Sequence, residues 1–290
     1  MKDFKNKVVV ITGAGSGIGR ALALAFAKRG AKLALNDFNA TTLNETCVLV
    51  KKENVRLNDA VGQDEVFESS FDVSNRESMA KFAYDVVKHF GQVDVMVNNA
   101  GIAIGGYSVH EVDLDLFERV MKINFYGVLY GSHNFIPHLL KRPEAALVNI
   151  SSVFGLTGVG LSSAYCASKF AVYGLNQCLW NEHADTNLTI HSVHPGGINT
   201  NITQNSIDYN SIADNSVHDA FQKEFLKLTP DYAASVIIDG IKKGQKKILI
   251  GGEAHQLDFV TRLFPLWSSS FISKTIKKKM DDIGLKTKTV

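Results

Sequence analysis

Cysteine is scarce, with only Cys47, Cys166 and Cys178 in 290 residues. Their spacing fits neither a disulfide framework nor a paired metal motif. All three fall in helix-like contexts, the usage expected of a reduced, cytoplasmic protein. An excess of one charge is missing too: 31 Lys and Arg face 29 Asp and Glu, a net charge of +2. Nothing in that balance suggests a nucleic-acid binder. No apolar run reaches the roughly 18 residues of a membrane span. The start, Met1-Lys2-Asp3-Phe4-Lys5, has no secretory apolar region and runs directly into a strand. Internal repeats, low-complexity tracts and long linkers are lacking.

What is present is ample apolar material. The chain is 45% hydrophobic and 21% charged, enough for a sizeable core in one large domain or two small ones.

One stretch organises the rest, Ser151 to Lys169. Tyr165 and Lys169 are four residues apart, so on a helix they share a face, about 5–6 Å apart at Cβ. An ammonium held near a phenol favours the phenolate and lowers its pKa from about 10. A phenol so tuned can exchange a proton with an alcohol oxygen. Ser152 follows the apolar run Ala145–Ile150, a buried strand, and its hydroxyl is placed to share the same oxygen. Alone, the Tyr–Lys pair is also what an ordinary helix surface offers.

The beginning of the chain changes that. Lys7–Ile11 is a β-branched strand, followed by Thr12-Gly13-Ala14-Gly15-Ser16-Gly17-Ile18-Gly19 and the helical pattern Arg20–Arg29. Strand, glycine turn and helix form a pyrophosphate cradle, with close backbone approach and a helix N-terminus offering free N–H groups. Ala31–Leu35 is a second strand, closed by Asn36-Asp37. An acidic residue there hydrogen-bonds both ribose hydroxyls of an adenosine and repels a 2′-phosphate. No cation flanks Asp37, which favours NAD over NADP; the competing reading is a cap for the helix beginning near Ala40.

Thr41–Lys52 reads as a helix and Glu53–Glu65 as a polar surface loop. Val66–Phe71 is a third strand ending at Asp72-Val73, with Asp72 placed for an adenine amino group. Asn75–Phe90 is an amphipathic helix stopped by Gly91, and Asp94–Val97 is a fourth strand. Asn98-Asn99-Ala100-Gly101 follows it, suited to pack against a cofactor and pin the sheet, and equally compatible with a structural turn. Val112–Leu140 is helix-rich and broken near Met121. Asn124 lies in an apolar stretch there, and either holds a water for a proton relay or satisfies local backbone. His133 and His138 read as helix-surface residues.

Beyond Lys169 the helix continues to about Asp185, then Leu188–His194 forms a strand in which His191 and His194 read as structural. Pro195-Gly196-Gly197-Ile198-Asn199-Thr200 closes it, where a nicotinamide amide meets backbone and the Thr200 hydroxyl. Asn201–Leu228 has the composition of a substrate lid. A helix from Pro230 to about Lys243 and a strand Lys247–Ile250 follow. Seven strands alternating with helices predict a single α/β domain with a doubly wound parallel sheet. The singled-out residues all fall at the strands' carboxyl ends, where such folds bind ligands.

Taken together, these motifs resemble the short-chain dehydrogenase/reductase family, in its T-G-x-x-x-G-x-G branch. The resemblance spans about residues 5–250 and departs from the pattern at no motif position. It rests on Thr12–Gly19, Asp72, Asn98–Gly101, Asn124, Ser152, Tyr165/Lys169 and Pro195/Gly196. It implies a Rossmann-like fold and hydride transfer between an alcohol or ketone carbon and a nicotinamide. Tyr165 would be the general acid/base, Lys169 would lower its pKa and bind the nicotinamide ribose, Ser152 would orient the substrate oxygen and Asn124 would hold the relay water. The cofactor would contact Gly13, Ser16, Gly17, Ile18, Gly19, Asp37, Asp72, Val73, Asn99, Ala100, Gly101, Tyr165, Lys169, Pro195, Gly196, Ile198 and Thr200. No site residue implies a metal. The resemblance also implies a homodimer or homotetramer.

Residues 1–252 are expected to form the dinucleotide-binding domain and 253–290 a C-terminal extension. His255–Trp267 presents a broad apolar face, and residues 271–290 hold six lysines against Asp281 and Asp282. This extension suits an anionic membrane surface, the wall of an apolar substrate pocket or a subunit interface. Substrates of such family members are often lipid-like alcohols, sterols or retinoids. Three functions follow: an NAD-linked dehydrogenase of an apolar alcohol, an NADPH-dependent carbonyl reductase, which Asp37 argues against, and an NAD-sensing protein without turnover, which the intact catalytic set argues against.

Overall fold

A computed structural model describes residues 1–56, 65–200 and 224–282. Most of the expected Glu53–Glu65 loop and of the lid region before Glu224, together with residues 283–290, lie outside the described residues.

The first half alternates β1 (Val8–Thr12), α1 (Gly17–Ala27), β2 (Lys32–Asp37), α2 (Ala40–Arg56), β3 (Val66–Ser70), α3 (Arg76–Phe90) and β4 (Val95–Asn98). Then come α4 (Leu114–Met121), a π-helical segment (Lys122–Tyr126), α5 (Gly127–Leu139), β5 (Ala145–Ile150), α6 (Ser163–Glu182) and β6 (Leu188–Pro195). The described chain closes with α7 (Pro230–Lys242), β7 (Lys247–Ile250), α8 (Gly252–Leu263) and α9 (Pro265–Asp282).

All strand pairs are parallel, in the order β3-β2-β1-β4-β5-β6-β7. Strand order reverses between β1 and β4, which makes the crevice at their carboxyl ends the switch point of a doubly wound sheet. Side chains alternate across the pleat. In β1, Val9 and Ile11 join Leu22, Phe26 and Ile237 in one core layer, while Val8 and Val10 join Phe82, Phe135 and Leu179 in the other. Burial on both faces explains why the central strands are continuous apolar runs rather than alternating ones.

Helix ends follow side-chain chemistry. Asn75 caps α3 by accepting from the Ser78 N–H at 2.8 Å, and Gly91 ends it with φ 72°. Thr229 caps α7 through the Tyr232 N–H, with Pro230 in the first turn.

Two boundaries differ from the sequence expectation. Helix α2 runs to Arg56 rather than Lys52. Lys51-Lys52-Glu53 are good helix formers, and a solvent-facing end needs no apolar periodicity to persist. The break expected near Met121 is a change of hydrogen-bond spacing into the π-helical segment rather than an interruption.

Candidate active site

The glycine turn is built by exclusion. A Cβ on Gly13 would lie 2.8 Å from the Ala100 Cα, and one on Gly19 would lie 2.0 Å from the Gly13 carbonyl oxygen. A Cβ on Gly15 would meet Thr42 Oγ1 and the Asp37 carboxylate, and one on Gly17 would sit 3.1 Å from Thr200. Thr200, after β6, is thereby packed against the first turn of α1. Ser16 is the N-cap of α1, its side chain makes no cap bond, and the first turn holds no acidic residue. Such a helix start presents N–H groups and a positive dipole end to an anion. Ile18 packs on the core below.

Asp37 faces this turn. Its Oδ2 accepts from the Gly15 N–H at 2.8 Å and its Oδ1 from the Asn39 N–H at 2.9 Å. The capping alternative falls to Asn39, whose Oδ1 accepts from the Thr41 and Thr42 N–H groups. Asp72 ends up in a local turn, with Oδ1 accepting from both the N–H and the hydroxyl of Ser74. Val73 is buried and touches Gly127, where a Cβ would come within 2.8 Å of it.

The run Asn98–Gly101 pins β1 to β4. Asn99 donates its side-chain amide to the carbonyls of Thr12 and Gly13, at 2.9 and 3.1 Å. The Thr12 hydroxyl accepts from the Asn99 and Ala100 N–H groups. Gly101 leads to the catalytic set: a Cβ there would be 3.1 Å from Asn124 Oδ1 and 3.5 Å from Lys169 Nζ.

Asn124 is fully buried in the π-helical segment. Its Oδ1 accepts from the Ile102 N–H at 2.8 Å. Its amide donates to the Ile102 carbonyl at 2.9 Å and to the Ser168 hydroxyl at 3.0 Å. The side chain thus bonds the Ile102 backbone and ties the β4 exit to α6.

Ser152, Tyr165 and Lys169 converge after β5. The Ser152 hydroxyl favours the charged form of the Tyr165 phenol and accepts from the Phe154 N–H at 3.1 Å. Lys169 is buried, donates to the Ile150 carbonyl at 3.0 Å and lies 5.7 Å from the centre of the Tyr165 ring. The expected lowering of the tyrosine pKa is not what this environment produces. Burial pushes the Tyr165 phenol up to about 12, against the smaller opposing pull of Ser152. Burial likewise lowers Lys169 to about 8. Desolvation penalises both charged forms, and the ammonium bonds a backbone carbonyl while lying over the ring at a distance, so the geometric pairing alone does not produce a phenolate.

The floor of the site is the β6 exit. Pro195 pairs with Ile250 of β7, and the Gly196 N–H bonds the Ile250 carbonyl. Ile198 is buried and bridges to Leu228. Gly197 belongs to the run expected to close the strand, but the contact that demands a glycine there was not foreseen: a Cβ would strike the Phe225 carbonyl oxygen. Nothing local in the sequence announces a contact made 28 residues later. Among the described residues no cluster could hold a metal ion.

The turn, Asp37, Asn99 and Thr200 fit a dinucleotide, and a model described as short chain dehydrogenase matches residues 7–210. The chain belongs to the short chain dehydrogenase family. It is 39% identical over 265 residues to the putative oxidoreductase SadH of Mycobacterium tuberculosis, covering 91% of this chain and 92% of that protein. It is 35% identical over 197 residues to 3beta-hydroxysteroid dehydrogenase 2 of Eggerthella lenta, covering 68% and 72%. A short chain dehydrogenase/reductase from Burkholderia phymatum, solved with NAD, superposes with a TM-score of 0.76 at 26% identity, covering 100% of this chain and 99% of that one. An alcohol dehydrogenase from Thermococcus sibiricus, solved with 5-hydroxy-NADP, shares the fold with a TM-score of 0.71 at 24% identity, covering 85% and 96%.

Proposed function

We propose that this short chain dehydrogenase interconverts an apolar secondary alcohol and its ketone with NAD as cofactor. The observation that carries the reading is the convergence of Ser152, Tyr165 and Lys169 beside Gly101, at the carboxyl edge of the sheet that also holds the glycine turn. The nicotinamide, when bound, supplies the hydride acceptor or donor. The chain supplies the proton chemistry. Tyr165 takes the proton of the alcohol oxygen or returns one to the ketone oxygen, and Ser152 orients that oxygen by hydrogen bonding. Lys169 provides a buried positive charge that favours the phenolate as the proton leaves.

NAD rather than NADP follows from Asp37. Its carboxylate lies against Gly15, and a 2′-phosphate there would meet a like charge. The nearby Arg20 guanidinium is committed to Glu45, Thr46 and the Thr42 carbonyl.

An apolar substrate is supported by the aromatic C-terminal segment and by the hydroxysteroid dehydrogenase named among the relatives. We also read the protein as cytoplasmic, as a homodimer or homotetramer, and as resting peripherally on membrane through residues 255–290. Phe259, Leu263, Phe264, Leu266 and Trp267 are all exposed, an unusual concentration of large apolar side chains. Lys274 and Lys278 follow them, also exposed, on α9. Residues 271–290 carry six Lys and two Asp, so the net +2 leaves the rest of the chain at −2. Apolar anchor and basic flank together match an anionic bilayer surface. No described helix is long and apolar enough to cross one.

The test is nicotinamide absorbance change with NAD or NADP against alcohols graded by chain length and ring count. Turnover rising with apolar size, and faster with NAD, supports the proposal. NADP-only turnover, or none with tight NAD binding, contradicts it.

A further inference from the structure

A line of buried polar side chains crosses the middle of the sheet and ends on the backbone of Ser152. The register sets Asn98 of β4 beside Asn149 of β5, and Asn149 beside Ser192 of β6. Asn176 of α6 bridges the last gap. Asn98, Asn149, Asn176, Ser192 and His194 are 2% exposed or less. Asn98 donates to Asn149 Oδ1 at 2.8 Å, Asn149 to Asn176 Oδ1 at 2.7 Å, and Asn176 to the Ser192 hydroxyl at 2.9 Å. Ser192 Oγ lies 2.9 Å from His194 Nε2, and His194 Nδ1 lies 2.9 Å from the Ser152 carbonyl oxygen.

The end of the line fixes its direction. A carbonyl oxygen only accepts, so His194 must carry its proton on Nδ1. Burial lowers the imidazole to about 4, so the ring is neutral and Nε2 accepts from the Ser192 hydroxyl. Ser192 in turn accepts from Asn176, and every bond then points toward Ser152. Bonds aligned head to tail in a dry interior polarise one another.

We infer that His194 is a positioning residue for the reaction: as the neutral Nδ1–H tautomer, it holds the Ser152 backbone at the end of an aligned hydrogen-bond chain. Ser152 is the second residue after strand β5; its carbonyl also accepts from the Gly155 N–H at 2.9 Å, a bond within its own short turn, and its hydroxyl must be aimed at the substrate oxygen. His194 adds a second donor to that carbonyl and ties the turn to β6. It is held in turn by the edge of the Tyr173 ring, 4.8 Å away at 89°. Lys247, Asp258 and Lys169 are the charged groups acting on it. Lys247 and Asp258 form an ion pair with each other, and the Lys247 ammonium lies over the Tyr173 ring.

This inference rests on the dehydrogenase reading for its effect on rate but not for its geometry, and the experiment separates the two. In the full chain, nitrogen-15 NMR of the imidazoles at pH 7 is expected to show His194 protonated at Nδ1 alone; an Nε2–H tautomer or an imidazolium overturns the inference whatever the enzyme does.

Two variants then test the role. In His194→Asn the amide nitrogen replaces Nδ1 and still reaches the Ser152 carbonyl. In His194→Gln the amide extends toward Ser192 and leaves that carbonyl with the Gly155 N–H alone, untied from β6. With cyclohexanol or a 3β-hydroxysteroid as substrate, whichever turns over, His194→Gln is expected to lower kcat about five- to tenfold with NAD affinity unchanged, and His194→Asn to restore most of it. Equal rates for both variants overturn the inference. If no alcohol turns over with the parent protein, the dehydrogenase reading fails and the NMR result alone decides the geometry.

Discussion

The Asp37 carboxylate accepts a 2.8 Å hydrogen bond from the backbone N–H of Gly15. One side chain therefore closes the end of β2 onto the turn that follows β1, and in the proposed function its negative charge faces the adenosine ribose. Asp37→Ala removes both the ribose acceptor and the repulsion. The ratio of kcat/KM for NAD over NADP is expected to fall by at least about tenfold, the scale of a hydrogen bond to a charged group. Steady-state kinetics with both cofactors measures it, and an unchanged ratio counts against the NAD assignment.

Gly19 faces the Gly13 carbonyl so closely that a methyl group has no place, its Cβ falling 2.0 Å from that oxygen. Gly19→Ala must shift the turn, at a cost of about 1–3 kcal/mol typical of overpacking. Urea unfolding is expected to show the lower midpoint, and calorimetric titration a weaker NAD affinity. A control, Gly174→Ala in the interior of α6, has open space at its Cβ and is expected to leave NAD affinity unchanged while raising the midpoint slightly, since Ala is the better helix former.

Burial lowers His191 and His194 from 6.5 to about 4 each. The unfolded chain then binds more protons than the folded one between about pH 6.5 and 4, so stability is present above the unfolded value and is lost as pH falls through that window. At about 1.4 kcal/mol per pKa unit, each histidine contributes on the order of 3 kcal/mol to this loss. His191→Asn is expected to flatten the pH dependence of the denaturation midpoint in that range. An equally steep acid limb in the variant contradicts the assignment.

The first strand, glycine turn and helix were legible because they are local. Strand, glycine turn and helix follow one another within Val8–Ala27, so their pattern can be read without any distant contact. The capping alternative for Asp37 could be set aside only in the structure, where Asn39, two residues away, caps α2. The catalytic half was legible as spacing but not as energetics. Tyr165 and Lys169 share a helix face as expected, yet the burial that raises one and lowers the other comes from distant elements. Asn124 shows the same limit: its partners Ile102 and Ser168 lie 22 and 44 residues away. His194 read as structural because strand alternation shows a buried face, not the carbonyl waiting on it.

Trp267 and Leu266 stand out from the protein at 61% and 90% exposure. Co-sedimentation with phosphatidylcholine vesicles containing phosphatidylserine is expected to recover the protein, and vesicles of phosphatidylcholine alone to recover much less. Replacing both residues by Ser is expected to lower partitioning at least about tenfold, given roughly 1.5–3 kcal/mol per large side chain buried. Raised salt is expected to release the protein. Equal recovery by the parent and the double variant contradicts peripheral binding through this segment.

The central claim is that the Tyr165 phenol moves the proton while the turn of Gly13–Gly19 holds the cofactor. The most direct test measures NAD-dependent turnover and NAD binding side by side for the parent and Tyr165→Phe. The account predicts that the variant loses at least about a hundredfold in kcat, the scale of general acid–base catalysis, while NAD binds nearly as before. A Phe variant that turns over at the parental rate would contradict it.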